Sequence, residues 1–402
     1  MKLIERTLYL QEMKDALHTP DIKVLTGVRR CGKSKLLEAL AAWLQENEPS
    51  ANIIRINYNL IDYENLLEYH ALEKYVEDHY QSGTDNVVMI DEVQMCPSFE
   101  KAINSLHAKE KYDIFVTGSN AFLQSSDLAT LFVGRTYEIH VFPFSFQEYL
   151  EYFPSENIYR SLTSYITQGG MAGSYLYKND TQRYRYINSE VLNSLVVRDI
   201  INKYHLKNEP LLHELIDFLM DNIGNITSVR NITDTLRASG TRVDHKTIGK
   251  YINTLCKAFA FYRIRRYDVR GKKYLRSEDK YYLADQSFRF ARLGTKNMDY
   301  GRILENIVAI ELLRRGYEVY VGVLRNKEID FVAKNLGETL YIQVANDISE
   351  PKTFQREVTP LLDIRDAYPK LLIARTYQPE YQYEGIRIID AAEWLNRSIP
   401  QN

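Results

Sequence analysis

The residues best suited to chemistry in this chain are a glycine-framed octapeptide and two acids downstream of it. Gly27-Val28-Arg29-Arg30-Cys31-Gly32-Lys33-Ser34 fits G-x-x-x-x-G-K-[ST], the spacing of a phosphate-binding loop. A triphosphate is a dense anion, so it needs several donors and little obstruction. Glycines at 27 and 32 let successive N–H groups turn inward as a nest. A helix opening at Lys33 adds its unpaired N–H groups and the positive end of its dipole. Lys33 is expected to reach the β- and γ-phosphate oxygens, and Ser34 to ligate Mg²⁺. Arg30, Cys31 and Lys35 are counted with Gly27, Gly32, Lys33 and Ser34 as nucleotide contacts; the side chains of the variable loop residues, Arg29 to Cys31, are assigned no chemistry. The flanks are right for the motif, with strand-like Ile22 to Leu25 before it and helix-like Leu36 to Leu44 after it.

Asn86-Val87-Val88-Met89-Ile90-Asp91-Glu92 reads as a strand buried on both faces that ends in two carboxylates. Asp91 is expected in the Mg²⁺ shell, and Glu92 as the base that orients and deprotonates an attacking water. A third strand, Tyr112 to Thr117, ends in Gly118-Ser119-Asn120. Asn120 either positions that water or makes an ordinary turn. Leu131-Phe132-Val133-Gly134-Arg135 then precedes a strand from Tyr137 to Phe142. Arg135 is either an arginine finger for a neighbouring subunit's nucleotide or a solvated turn residue.

The order of these segments, closed by Phe142-Pro143-Phe144-Ser145-Phe146-Gln147-Glu148-Tyr149, resembles the prokaryotic AAA-type P-loop ATPases that carry a winged helix and a C-terminal PD-(D/E)xK nuclease-like domain. Phe144 and Tyr149 depart mildly from that family's P-L-S-F-x-E-F block. The resemblance implies an α/β fold. A parallel-sheet ATPase core at 1–155 would be followed by a helical lid at 156–208, a winged helix at 209–293 and a restriction-nuclease-like domain at 294–402. It also implies ATP as the nucleotide, Asn120 as a sensor residue and Arg135 as the finger candidate.

Composition narrows the class. The chain has 402 residues, 45% hydrophobic and 26% charged, enough for two or three domains with their own cores. No run of 18 apolar residues occurs, so no membrane span is expected. The first residues lack the apolar region of a secretory leader. Three unevenly spaced cysteines, Cys31, Cys96 and Cys256, fit a reducing cytoplasm better than a disulfide scaffold.

Net charge is only −2, yet Thr241 to Arg276 holds eleven Lys or Arg against Asp244 and Asp268. Three helix-like segments lead into this block, Leu211 to Met220, Thr227 to Ala238 and one capped by Asp244 that runs to about Lys257. Two strand-like runs follow, Phe259 to Tyr267 and Lys280 to Ala284, joined by a basic turn near Gly271. Three helices and a β-ribbon make a winged helix, which lays its third helix in the major groove. Lys246, Lys250, Arg263, Arg265, Lys272 and Lys273 are the candidate contacts to double-stranded DNA. The same charges would also serve a solvated face or a dock for an acidic partner. Before this block, Gly169-Gly170-Met171-Ala172 reads as a helix break, and the resemblance implies that a helical lid opens there. Arg198 is either a second sensor or the partner of Asp199.

The tail runs helix, strand, strand, strand. Asp330 matches the first acid of the nuclease-like pattern and Glu305 a helical auxiliary. The E-x-K slot reads Gln343-Val344-Ala345, which has neither the second anionic ligand nor the amine. No catalysis is expected there, which leaves substrate, subunit or partner contact, or regulation. The leading expectation is a Mg²⁺-dependent ATPase that couples nucleotide state to DNA; Arg135 acting in trans would imply a homo-oligomer, and a cis geometry stays open. The alternative is a slow nucleotide-gated scaffold whose basic block holds a protein.

Overall fold

The computed structural model describes residues 4–118, 132, 134–195, 200–201, 203–204, 206, 208–295 and 298–398. The chain divides into two compact units at Val141/Phe142. No helix among the described residues is long and apolar enough to cross a membrane.

In the first unit, α1 (Thr7–Asp15) precedes β1 (Ile22–Thr26), and α2 (Lys33–Asn47) follows it. Then come β2 (Asn52–Asn57), α3 (Tyr69–Asp78), β3 (Asn86–Asp91), α4 (Phe99–Ala108), β4 (Asp113–Thr117) and β5 (Thr136–His140). The strands form one parallel sheet in the order β2-β3-β4-β1-β5. β1 and β3 are buried along their whole length, as a parallel sheet covered on both faces requires. Leu72 and Val76 of α3 and Ile103 and Leu106 of α4 share one core with Val24, Val88, Ile90 and Val116, while α2 lies against β3 and β4. This order puts β4 between β1 and β3. The loop after β1 and the acids after β3 therefore face each other across the end of β4.

The second unit begins with α5 (Phe146–Tyr152), α6 (Ile158–Gln168) and α7 (Asp180–Tyr186). The expected core boundary at 155 differs from the observed division. Phe142 stacks on Tyr262, Phe144 meets Tyr175 edge-on and Phe146 packs at a tilt on Tyr165, all in the second unit. Gly169 ends α6 with φ 68°, and a Cβ on Gly170 would stand 2.2 Å from the Phe144 carbonyl oxygen. The glycine pair thus marks a helix end where two backbones nearly touch.

Then follow α8 (Glu209–Asp221), α9 (Val229–Ala238) and α10 (His245–Lys257). Asp244 caps α10, accepting from the Thr247 N–H at 2.8 Å. An antiparallel hairpin comes next, β6 (Phe261–Asp268) and β7 (Lys273–Leu283). β7 starts seven residues earlier than the sequence pattern suggests, because basic Lys273 and the residues after it still pair across the hairpin. After α11 (Ser287–Leu293) and α12 (Tyr300–Arg314) come β8 (Glu318–Leu324), β9 (Lys327–Asn335), β10 (Glu338–Ala345), α13 (Pro351–Leu362), β11 (Lys370–Ala374), β12 (Tyr381–Tyr383) and β13 (Ile386–Asp390). β6 pairs in parallel with β8, through Arg266 to Val321 and Asp268 to Val323. The hairpin therefore completes an eight-stranded sheet, β12-β13-β11-β10-β9-β8-β6-β7. The boundary expected at 293/294 falls inside this shared sheet.

Candidate functional site

β1 ends at Thr26, and the octapeptide turns the chain into α2 at Lys33. Gly27 has φ 137° and Gly32 φ 109°. A Cβ on Gly27 would lie 2.0 Å from the Val141 carbonyl oxygen and 2.9 Å from Cys31 Sγ, so only glycine fits. Arg6, buried just ahead of α1, donates to the Cys31 carbonyl at 2.8 Å and ties the loop to the N-terminal segment. Lys33 is buried, and its Nζ donates to the carbonyls of Gly27 at 3.0 Å and Val28 at 3.4 Å. A phosphate oxygen carries charge and is the stronger acceptor for that ammonium.

Ser34, on the first turn of α2, donates from Oγ to Asp91 Oδ1 at 3.0 Å. Thr117, at the end of β4, donates to the same oxygen. Asp91 Oδ2 is buried and has no partner among the described residues. Buried polar atoms are ordinarily satisfied. A carboxylate oxygen left open beside a serine hydroxyl offers the hard oxygen donors that Mg²⁺ takes, so Ser34 and Asp91 fit the expected ion.

Glu92 follows in a left-handed turn, φ 58° and ψ 46°, which costs a non-glycine residue about 1–2 kcal/mol. Two bonds hold this pose. The Glu92 N–H donates to Thr117 Oγ1 at 3.1 Å, and Gln94 Nε2 donates to Glu92 Oε2 at 2.5 Å. Backbone strain of this kind collects at functional sites. Arg30 and Cys31 lie in the loop, whereas Lys35 is exposed and pairs with Glu38 at 2.5 Å.

His140 ends β5 beside this loop, its Nδ1 2.9 Å from Thr26 Oγ1. Burial and the Lys33 ammonium push its imidazole down to about 3. The stability carried by this neutral ring is complete above the unfolded value, near 6.5. It is lost as pH falls from there toward about 3. The urea midpoint should drop with acid across that window, and less steeply in His140→Gln. Equal slopes for the two chains would show that His140 carries none of it.

Arg135 is not brought to this site. The parallel register sets Ile22 opposite Thr136 and Thr26 opposite His140, which places Arg135 at the start of β5. The phosphate loop leaves from the other end of the sheet, about 16 Å away at 3.3 Å per residue. That distance removes a role for Arg135 on its own chain's nucleotide. Asn120 and Arg198 lie outside the described residues.

Residues 19–150 match the family described as AAA domain, and residues 159–299 match a domain of unknown function, DUF8612. Over 399 residues the chain is 37% identical to an "Uncharacterized protein" of Haemophilus influenzae, covering 98% of each. The chain belongs to that protein's family. The "Uncharacterized protein MJ1544" of Methanocaldococcus jannaschii is 25% identical over 355 residues, 84% of this chain and 77% of its own length. The solved Walker-type ATPase PABY2304 of Pyrococcus abyssi aligns over 72% of this chain and 96% of its own, with 16% identity and a TM-score of 0.47. The first unit of this family member is a P-loop domain of the AAA type.

Its second unit carries the remaining candidates. Lys246 and Lys250 are exposed on α10, and Lys272 and Lys273 are exposed at the hairpin turn. Arg265 is exposed on β6, whereas Arg263 lies 4.0 Å from Asp279 of the facing strand, which offsets its charge. Glu305, Asp330 and Gln343 do converge, on α12, β9 and β10. Asp330 accepts from the Val344 N–H at 2.8 Å, and Gln343 Oε1 accepts from the Asp330 N–H at 3.3 Å. Burial, with Glu305 alongside, raises the Asp330 carboxyl well above the usual range.

Sequence reasoning missed Thr117, Gln94 and Arg6 at the first site, and Lys280 and Glu357 in the second unit. A threonine ending a buried strand beside an acidic pair is a usable signal. Nothing local marks Arg6, which lies 25 residues from its acceptor.

Proposed function

We propose that this chain is a Mg²⁺-dependent ATPase whose nucleotide state governs its grip on duplex DNA. The supporting observation is that Ser34 and Thr117 both donate to one oxygen of Asp91 while its other oxygen is buried and open, beside the glycine-framed loop that carries Lys33. Lys33 and the loop N–H groups bind the triphosphate, with Arg30, Cys31 and the first turn of α2 supplying backbone donors. Ser34 and Asp91 would hold Mg²⁺, which when bound would supply charge neutralisation at the β- and γ-phosphate oxygens. Glu92 orients a water and takes its proton as the water attacks the γ-phosphorus, with ADP leaving. Asn120 is assigned to positioning that water. Arg135, exposed at the far sheet edge, is assigned to the nucleotide of a second copy in a homo-oligomer. Three thiols without disulfide partners support a reducing, cytoplasmic setting.

The helices α8, α9 and α10 with the β6–β7 hairpin are read as a winged helix, with α10 in the groove and the hairpin turn on the backbone. Lys246→Ala/Lys250→Ala should weaken duplex binding and reduce the slope of log affinity against log salt by about 2. ATP turnover measured with and without duplex at several salt concentrations tests the coupling. No stimulation, together with salt-independent binding of the basic face, would leave the protein-docking alternative and remove this one. The nuclease-like sheet is assigned no cleavage, since Gln343 and Ala345 stand where a carboxylate and an amine would be needed.

A further inference from the structure

The strongest cluster outside the nucleotide site lies in the second unit, on β7. Lys280 is 2% exposed. Its ammonium lies 2.8 Å from Glu305 Oε1, 2.6 Å from Glu328 Oε1 and 3.9 Å from Asp330 Oδ1. The Tyr282 hydroxyl donates to the same Glu305 oxygen at 2.5 Å. The three acids come from α12 and β9, and they line a cavity of about 1070 Å³ together with Gln343 and Glu357. The acids that the nuclease-like pattern would assign to a metal therefore surround an ammonium of the chain itself.

A divalent ion does not fit beside that ammonium. Like charges within 4 Å repel, the more so where one of them is buried as Lys280 is. A buried charge set is tolerated only when it is balanced and hydrogen-bonded. Gln343 adds no anionic oxygen; its Oε1 accepts from the Asp330 N–H and its Nε2 donates to Glu357 Oε2 at 3.1 Å. Among the described residues no group of His, Cys, Asp and Glu is set to hold a metal. A tethered ammonium also has the advantage of a high effective concentration over any ion in solution.

We propose that Lys280 is a built-in cation standing where a nuclease-like domain would hold Mg²⁺, so that the cavity accepts a divalent ion only once this lysine is removed. The substitution would account for the loss of the E-x-K residues, because with no ion to hold, the second carboxylate and the amine have no task. It also pins β7, and with it the basic hairpin, to α12 and β9. This claim stands apart from the ATPase reading, since it concerns neither nucleotide nor DNA.

The test uses the full chain without nucleotide and Mn²⁺ as the probe, followed by calorimetry and thermal melting. The unsubstituted chain should show no Mn²⁺ binding that depends on Asp330. Lys280→Ala should melt roughly 5–10 °C lower, because three carboxylates lose their counter-charge. Mn²⁺ should restore much of that loss, with affinity at least tenfold above the parent's. Adding Glu305→Gln to Lys280→Ala should abolish the gain. Ion binding at the phosphate loop is common to all these chains and cancels in the comparison. The proposal is overturned if the unsubstituted chain binds Mn²⁺ and Asp330→Asn removes that binding, or if Lys280→Ala gains none. Should Lys280→Ala fail to fold, refolding with Mn²⁺ but not with Na⁺ alone supports the proposal, and failure in both overturns it.

Discussion

Glu92→Gln is expected to bind ATP as the parent does and to turn it over at least about a hundredfold more slowly. The amide matches the carboxylate in size but cannot take a proton from water. The surroundings make this substitution clean. The Glu92 backbone is fixed by its N–H bond to Thr117 Oγ1, which the side chain does not touch. Gln94 Nε2 reaches Glu92 Oε2, and an amide can present its oxygen to the same donor. The proposed nucleotide and Mg²⁺ contacts, Lys33, Ser34 and Asp91, stay intact. Phosphate release under saturating ATP, measured beside equilibrium ATP binding, separates the two effects. Turnover at the parent rate would end the assignment of Glu92 as the base.

Lys33→Ala should fail at the earlier step. In the proposed site its ammonium meets the β- and γ-phosphates, and charge-assisted bonds of this kind are worth about 1.5–3 kcal/mol. ATP affinity should therefore fall roughly tenfold to more than a hundredfold. The parent's Lys33 donates within its own loop, to the Gly27 and Val28 carbonyls and to Cys31 Sγ. Its removal should thus lower nucleotide affinity far more than it lowers melting temperature in the absence of ATP. Lys35→Ala is the control, since Lys35 is exposed and paired with Glu38. Calorimetric titration with ATP and Mg²⁺ should leave Lys35→Ala unchanged. Equal losses in the two variants would mean that general positive charge, and not the geometry of Lys33, attracts the nucleotide.

Local chemistry was readable along the chain, and non-local pairing was not. The phosphate loop, the buried Val87 to Ile90 run and the Asp244 cap each follow from a few adjacent residues. They emerge in the structure close to where the residues put them. The distance of Arg135 from the loop depends on the β1–β5 register, which no motif records. Thr117 matters because β4 is inserted between β1 and β3, again a matter of strand order. In the second unit, Lys280 looks in sequence like one more cation at the end of a basic stretch. Its burial depends on α12 and β9, whose acids lie 25 and about 50 residues on. The parallel join of β6 to β8 is equally silent, since parallel neighbours need long crossovers and leave no turn signature.

That join makes two stretches of sequence mechanically inseparable. The match to the domain of unknown function stops at residue 299, after the hairpin and before the six strands that complete its sheet. A protein ended there would leave β6 with a bare row of amide and carbonyl groups, an invitation to self-association. It would also strand Lys280 without its acids. Inheritance and recombination must therefore keep the basic hairpin and the C-terminal strands together, whatever each one touches.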